Sequence, residues 1–402
     1  MNKSELLLEL NKYKNLNLSL DMSRGKPSKE QLDISLKMLD EINSNYDFSK
    51  EDIDPRNYGE LTGLKEAKEL MSIILEVPAN NIIVGGNSSL NLMYDQISRS
   101  YNFGVCGSKP WKDYPKIKWL CVVPGYDRHF AITEQFGFEL ISIPLLDDGP
   151  DMDLVESLVK DETVKGIWCV PKFSNPSGVT YSNEVVKRLA KLQPTAKDFR
   201  IYYDNAYAMH FIQKDVALLN IYEEAKKYHN EDIVYIFGST NKITFPGSGI
   251  AAIGASERNI RDIIDKLKYQ IISYDKINQL RHVKYLKNKE HIADILQKHR
   301  EILKPKFDLV ESYFANNLKG LATWTTPKGG YFITLKVPNK AKEVIELCAS
   351  CGLKLTPSGA THPYHKDPTN SYIRIAPSYP TLEEIKMALE IIVLAAKIVS
   401  IE

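Results

Sequence analysis

The chain predicts an α/β fold in which a large domain is built on a mainly parallel sheet with helices on both faces, and a smaller α/β domain follows. Three observations carry that expectation. Short apolar runs recur between residues 80 and 239, helical patterns such as SLNLMYDQISRSY and NEVVKRLAKLQ lie between them, and near residue 255 the pattern changes. Strands and helices taking turns in this way require crossover connections, which place helices on both faces of a parallel sheet.

Along the chain, MNKSELLLELNKYK breaks its leucines with charges and reads as an amphipathic helix. The runs NNIIVGG (80–86), KWLCVVP (118–124), FELISIPL (138–145), VKGIWCVP (164–171), FRIYYD (199–204) and DIVYIFGS (232–239) read as strands. They are apolar almost throughout, as strands buried on both faces are. A charged helical region then covers about 256–316, followed by a Gly-Gly turn and strand (KGGYFITLKV), a helix (AKEVIELCASCG) and a last strand (NSYIRIAPSYP). These make the second domain, joined by the amino-terminal segment, and the cleft between the two is the expected site.

Composition limits the functional classes. With 402 residues, 43% hydrophobic and 26% charged, the chain can bury a large core. A formal net charge of +1 gives no nucleic-acid footprint and no basic membrane stripe. No apolar run approaches a bilayer span, which excludes a transmembrane segment, and the charged start argues against a signal peptide. Five cysteines, an odd number, suit a reducing compartment, so a cytoplasmic location is expected. Cys348 and Cys351 form a C-x-x-C with no second pair to complete a zinc set, and read as packing thiols at a helix end. His362 and His365, in a Pro-rich loop, are read the same way.

In parallel sheets ligands bind beyond the carboxyl ends of the strands, so the residues after each run matter most. Gly86-Asn87-Ser88-Ser89 precede a helical pattern and form a possible anion cradle, although Asn and Ser are also plain N-caps. Tyr126 follows the second run and can stack on a planar ring. Asn175 lies in KFSNPSG, where Asn-Pro is also ordinary turn chemistry. Asp204 closes an apolar strand, a costly place for a carboxylate without a cation or strong donor. Lys242 follows IVYIFG-STN, where a hydrophobic sheet end lowers an amine's pKa and makes it a nucleophile able to form a Schiff base. Together, a phosphate cradle, a stacking aromatic, an amide, a carboxylate and an amine match the parts of pyridoxal 5′-phosphate.

These residues sit within SRGKPS (23–28), NYGELTGLKEAKEL (57–70), GGNSSLNLMYD (85–95), PGYDRHF (124–130), KFSNPSG (172–178), YYDNAYAMHF (202–211), STNKITFPGSG (239–249) and YIRIAPSYP (372–380). In that order, and with Asn175 29 residues before Asp204 and Asp204 38 before Lys242, the chain resembles the fold-type-I pyridoxal-phosphate enzymes of aminotransferase class I/II. It is most similar to their divergent bacterial aspartate aminotransferase branch, which is related to the aminotransferase domains of MocR-type regulators.

The resemblance implies a large domain with a seven-stranded, mainly parallel sheet over residues 51–285, an amino-terminal arm contributing to the small domain over 1–50, and a carboxy-terminal small domain over 286–402. It implies that Lys242, Asp204 and Tyr207 are catalytic: Lys242 holds the cofactor aldehyde, Asp204 pairs with the pyridine nitrogen, and Tyr207 and Asn175 bond the phenolic oxygen. Tyr126 stacks on the ring. Gly86, Asn87, Ser88 and Ser239 bind the phosphate, which Tyr58 reaches from across a homodimer interface. Gly25, Asn175 and Arg374 contact substrate, with the Arg374 guanidinium matching the two oxygens of an α-carboxylate.

Many members carry an arginine for the phosphate at the position of Ile250, so phosphate charge must be balanced here by backbone donors, Tyr58 or a cation such as Arg281. For a distal substrate carboxylate, Arg24, Lys26, Arg56 and Arg128 are all candidates. The expected activity is ping-pong transfer of an amino group, with aspartate and 2-oxoglutarate as the pair by resemblance. A β-lyase, another aminotransferase specificity, or a non-catalytic sensor module are the alternatives the same scaffold allows.

Overall fold

The computed structural model describes residues 2–213 and 215–401. Its strands, in chain order, are β1 (Leu20–Asp21), β2 (Ile82–Val84), β3 (Lys118–Val123), β4 (Glu139–Leu146), β5 (Gly149–Pro150), β6 (Val164–Cys169), β7 (Arg200–Asp204), β8 (Val234–Ser239), β9 (Ala251–Ala255), β10 (Thr323–Trp324), β11 (Ile333–Lys336), β12 (Leu353–Lys354) and β13 (Tyr372–Ile375). One sheet holds eight of them in the order β2-β9-β8-β7-β6-β3-β4-β5. The neighbours from β8 through β4 pair in parallel, whereas β9 is antiparallel to both β8 and β2, and β5 is antiparallel to β4.

The sheet therefore has eight strands where seven were expected, and two were not visible as runs. β5 is a two-residue ladder formed as the chain turns back along β4. β9 reads Ala-Ala-Ile-Gly-Ala, small residues of weak strand propensity behind a glycine-rich loop. The tight packing explains that composition: a Cβ on Gly254 would lie 3.1 Å from Val77, and one on the adjacent strand's Gly238 would lie 2.7 Å from Leu75.

Side chains alternate between two cores, as the period of two demands. Leu120, Val122, Ile167, Ile201, Tyr203, Val234 and Ile236 face one cluster with the helices Lys65–Leu75, Asn183–Ala190, Ile221–Lys226 and Lys276–Leu286. Trp119, Cys121, Trp168, Tyr202, Tyr235 and Phe237 face the other with Ser89–Phe103, Asp127–Gln135 and Glu257–Leu267. Both faces are thus dry, which is why the strands read as continuous apolar runs.

The charged region about 256–316 is three helices, Glu257–Leu267, Lys276–Leu286 and Lys289–Asn317. The last contributes Ile292, Ile295 and Leu296 to the first core and Leu303, Phe307, Val310 and Phe314 to a third one. That third core lies under the antiparallel sheet β10-β11-β13 and the helices Ala341–Ser350 and Leu382–Ser400. The amino-terminal segment joins it through Leu6, Leu10 and Met22 and through the parallel pair β1-β12. The backbone of Ala376 donates to Met22 O at 3.0 Å, which pins residues 23–26 beside β13. Val170, Phe173 and Tyr207 leave the large sheet to pack into this third core, so the ends of β6 and β7 form one wall of a cleft. Cys348 and Cys351 are buried and unpaired by disulfide, and among the described residues no His/Cys/Asp/Glu cluster could hold a metal. Nor is any described helix long and apolar enough to cross a membrane.

Candidate active site

All the parallel strands and β2 point their carboxyl ends toward one edge, and the chain order reverses at β3, whose neighbours are β4 on one side and β6 on the other. A cleft of ≈ 290 Å³ opens there. It gathers Gly25, Ser88, Tyr126, Asn175, Asp204, Tyr207, Ser239, Lys242 and Arg374 from segments more than 300 residues apart in sequence. Gly86, Asn87 and Tyr58 do not line it. Asn87 is exposed and donates weakly to Gly247 O at 3.4 Å, next to the cleft rim.

Asp204, the last residue of β7, is 4% exposed. Its Oδ2 accepts from His129 Nε2 at 3.0 Å, and its Oδ1 is buried with no partner among the described residues. A buried carboxylate oxygen without a donor is costly, so this position suits a ligand that brings an N–H. His129 is itself buried, on the first turn of the helix Asp127–Gln135, with its ring stacked on Trp168 at 4.6 Å and 14°. An ionised carboxylate can only accept, so Nε2 carries the proton.

Lys242 stands one turn beyond β8. The turn is fixed by Ile250 N donating to Thr240 Oγ1 at 3.0 Å and by Thr244 N donating to Thr240 O at 2.9 Å. His210 Nε2 meets Lys242 O at 3.0 Å, holding the backbone in place. The ammonium lies 4.9 Å from the Tyr207 ring centre and 5.9 Å from that of Tyr331. Burial among these rings lowers the Lys242 pKa, partly opposed by the charge of Asp204, which enlarges the neutral, nucleophilic fraction. Burial likewise pushes the Tyr207 phenol well above its ordinary value, and raises Tyr126 to about 12 together with the charges of Asp127 and Asp204. Both remain neutral hydroxyl donors.

The helix Ser89–Phe103 opens at the cleft. Ser88 caps it, its Oγ accepting from Leu90 N at 3.2 Å, and Ser88, Ser89, Leu90, Ser239 and Asn241 line that end. Helix-start N–H groups and hydroxyls with a positive dipole end suit a phosphate. Ile250 is 1% exposed and packed in the hydrophobic core, and Arg281 does not line the cleft. Tyr58 is 79% exposed, on a loop held by Lys276, whose Nζ donates to Asn57 O at 2.6 Å and Gly59 O at 2.8 Å.

Arg374, in β13, is 6% exposed, opposite in facing to Ile373 and Ile375. Its Nε donates to Thr356 Oγ1 at 3.0 Å, NH1 to Asp127 Oδ1 at 3.0 Å and Asn175 Oδ1 at 3.2 Å, and NH2 to Ser23 O at 3.2 Å. Phe332 covers its face at 5.1 Å. Of the rim cations, Arg24, Lys26 and Arg128 line the cleft and are exposed, whereas Arg56 lies outside it, bound to Asp54 at 2.6–2.8 Å. Apart from Lys242, the cleft carries four basic side chains, Arg24, Lys26, Arg128 and Arg374, against Asp127 and Asp204, a balance that favours anions.

Sequence reading missed His129, Asp127, Trp168 and Asn241. His129 stood in the quoted PGYDRHF, three residues after Tyr126, a spacing that puts both on one side of a helix start. The donor set, with an unpartnered buried carboxylate oxygen, a desolvated amine and a hydroxyl-lined helix start, fits pyridoxal 5′-phosphate.

Residues 3–402 match the family described as aspartate amino-transferase. An aspartate aminotransferase of Corynebacterium glutamicum is 42% identical over 388 residues, 95% of this chain and 90% of that one. The crystal structure of an aspartate transaminase from Corynebacterium glutamicum superposes with a TM-score of 0.96 at 39% identity, covering 99% of this chain and 95% of that one. An α-aminoadipate aminotransferase of Thermus thermophilus, crystallised with N-(5′-phosphopyridoxyl)-L-leucine, shares the fold with a TM-score of 0.76 at 18% identity, covering 98% and 94% of the two chains. The chain is an aminotransferase and belongs to the aspartate amino-transferase family.

Proposed function

We propose that the chain uses pyridoxal 5′-phosphate to move the amino group of aspartate to 2-oxoglutarate, by a ping-pong route in which the first oxo acid leaves before the second arrives, and that it works as a homodimer. The observation that carries the cofactor reading is the pairing of a buried carboxylate oxygen lacking a donor, Asp204 Oδ1, with the desolvated amine of Lys242 in the same cleft. When bound, the cofactor supplies an aldehyde for the amino group and a ring that withdraws electrons from the carbon losing its proton.

The chain's own residues do the rest. Lys242 would hold the cofactor's aldehyde, and its Nζ, whose neutral form burial favours, would take the substrate's α-proton and give it back on the cofactor side of the substrate nitrogen. Asp204 would pair with the ring N–H, and His129 fixes the carboxylate that would do so. Asn175, whose Oδ1 is committed to Arg374, and the neutral Tyr207 hydroxyl donate to the phenolic oxygen. Tyr126 covers one ring face. Ser88, Ser239 and the start of the helix Ser89–Phe103 hold the phosphate, with Gly86, Asn87 and the Tyr58 of a second copy completing it. Arg374 clamps the α-carboxylate beside Gly25, and the exposed Arg24, Lys26 and Arg128 favour a second carboxylate on the substrate.

The test is Lys242→Ala. The purified variant should lose the imine absorbance and turnover with aspartate and 2-oxoglutarate while remaining folded. Normal transamination by that variant would refute the assignment.

A further inference from the structure

Arg374 has five N–H donors, and four are already engaged. Nε serves Thr356, the two N–H groups of NH1 serve Asp127 and Asn175, and one N–H of NH2 serves Ser23 O. A carboxylate gripped by two parallel N–H bonds needs the NH1–NH2 fork, because Nε is taken. One of the NH1 bonds must therefore open before a substrate can be held. The two partners differ. Asn175 is neutral and 6% exposed, whereas Asp127 is an anion whose side chain is 27% exposed. Arg374 is also the only hydrogen-bond partner of the Asp127 side chain among the described residues.

We infer that Asp127 is an internal stand-in for the substrate carboxylate: it neutralises Arg374 in the empty site and is displaced when a free carboxylate binds. The inference rests on the reading of Arg374 as the carboxylate clamp. A guanidinium this buried is costly without a counter-charge, so an empty site lacking Asp127 would carry an uncompensated cation. Exchange of one carboxylate for another keeps Arg374 paired with an anion throughout. The displaced group has somewhere to go. Asp127 is the first residue of the helix Asp127–Gln135, where the helix dipole favours a carboxylate, and the exposed Arg128 is its neighbour. The exchange also filters ligands, because an amide or ester brings no charge with which to displace Asp127. Asp127 is thus a positioning and specificity residue that lowers affinity for every carboxylate and excludes uncharged analogues.

Succinate, a dicarboxylate without an amino group, is the probe. It is titrated calorimetrically into the full-length protein, with and without pyridoxal 5′-phosphate, as the wild type, Asp127→Asn, Asp127→Ala, Arg374→Gln and the double variant Asp127→Asn/Arg374→Gln. The expected result is that both Asp127 variants bind succinate at least tenfold more tightly, and that Asp127→Asn changes nothing once Arg374 is replaced. Tightening is an outcome that a merely structural residue would not give, and the alanine variant carries the same expectation should the asparagine variant fail to fold. Unchanged or weaker binding by the Asp127 variants, with Arg374→Gln strongly impaired, overturns the exchange while leaving the clamp intact. Unimpaired binding by Arg374→Gln overturns the clamp itself.

Discussion

His129→Phe isolates the hydrogen bond on which Asp204 depends. The Phe ring can retain the stack on Trp168 at 4.6 Å but cannot donate to Asp204 Oδ2, now 3.0 Å from His129 Nε2. Since Oδ1 has no partner among the described residues, the only donor left to the buried carboxylate in the loaded enzyme would be the cofactor's ring N–H. A hydrogen bond to a charged group contributes about 1.5–3 kcal/mol. Without it the carboxylate is held less firmly against the cofactor's ring nitrogen. A loss of that size corresponds to roughly 10- to 150-fold in kcat/KM for aspartate, followed by coupled oxaloacetate detection. His129→Gln, which can place an amide N–H near the same point, should recover much of it. Activity of His129→Phe within twofold of wild type, or equal loss in the Gln variant, would refute the claim that His129 acts through its donor.

Arg374→Ala should raise the Michaelis constant for aspartate far more than it lowers kcat, costing about 2–5 kcal/mol in kcat/KM because the substrate carboxylate loses its charged partner; steady-state kinetics with an unchanged KM would contradict this. Stability should also fall in acid, through buried imidazoles. Burial lowers the pKa of His210 from 6.5 to about 3 and those of His282 and His299 to about 4, so between these values and 6.5 the unfolded chain binds the extra protons. Stability is then present above pH 6.5 and declines as pH falls toward 4, by about 1.4 kcal/mol per pH unit for each imidazole. Thermal unfolding midpoints measured across that window should drop on acidification, and His299→Gln should flatten the decline.

What the sequence disclosed depended on whether the cause was local. A carboxylate ending an apolar strand and an amine following another are anomalies visible in a few residues, and Asp204 and Lys242 were both read that way. β9 was hidden because the crowding that keeps Gly254 small comes from Val77, outside the strand. The His129–Asp204 bond spans 75 residues and the Asp127–Arg374 pair 247, so neither has a local pattern. Ile250 shows the reverse case. The sequence reported a missing cation at once, but its burial in the hydrophobic core became clear only with the fold.

The central claim is that Lys242 Nζ is the amine that captures the cofactor. Borohydride reduction of the protein loaded with pyridoxal 5′-phosphate, followed by proteolysis and peptide mass mapping, tests it most directly. A phosphopyridoxyl group on the peptide containing STNKITF, at Lys242, is the result this account predicts. A stoichiometric adduct on any other lysine, or none at all, would contradict it.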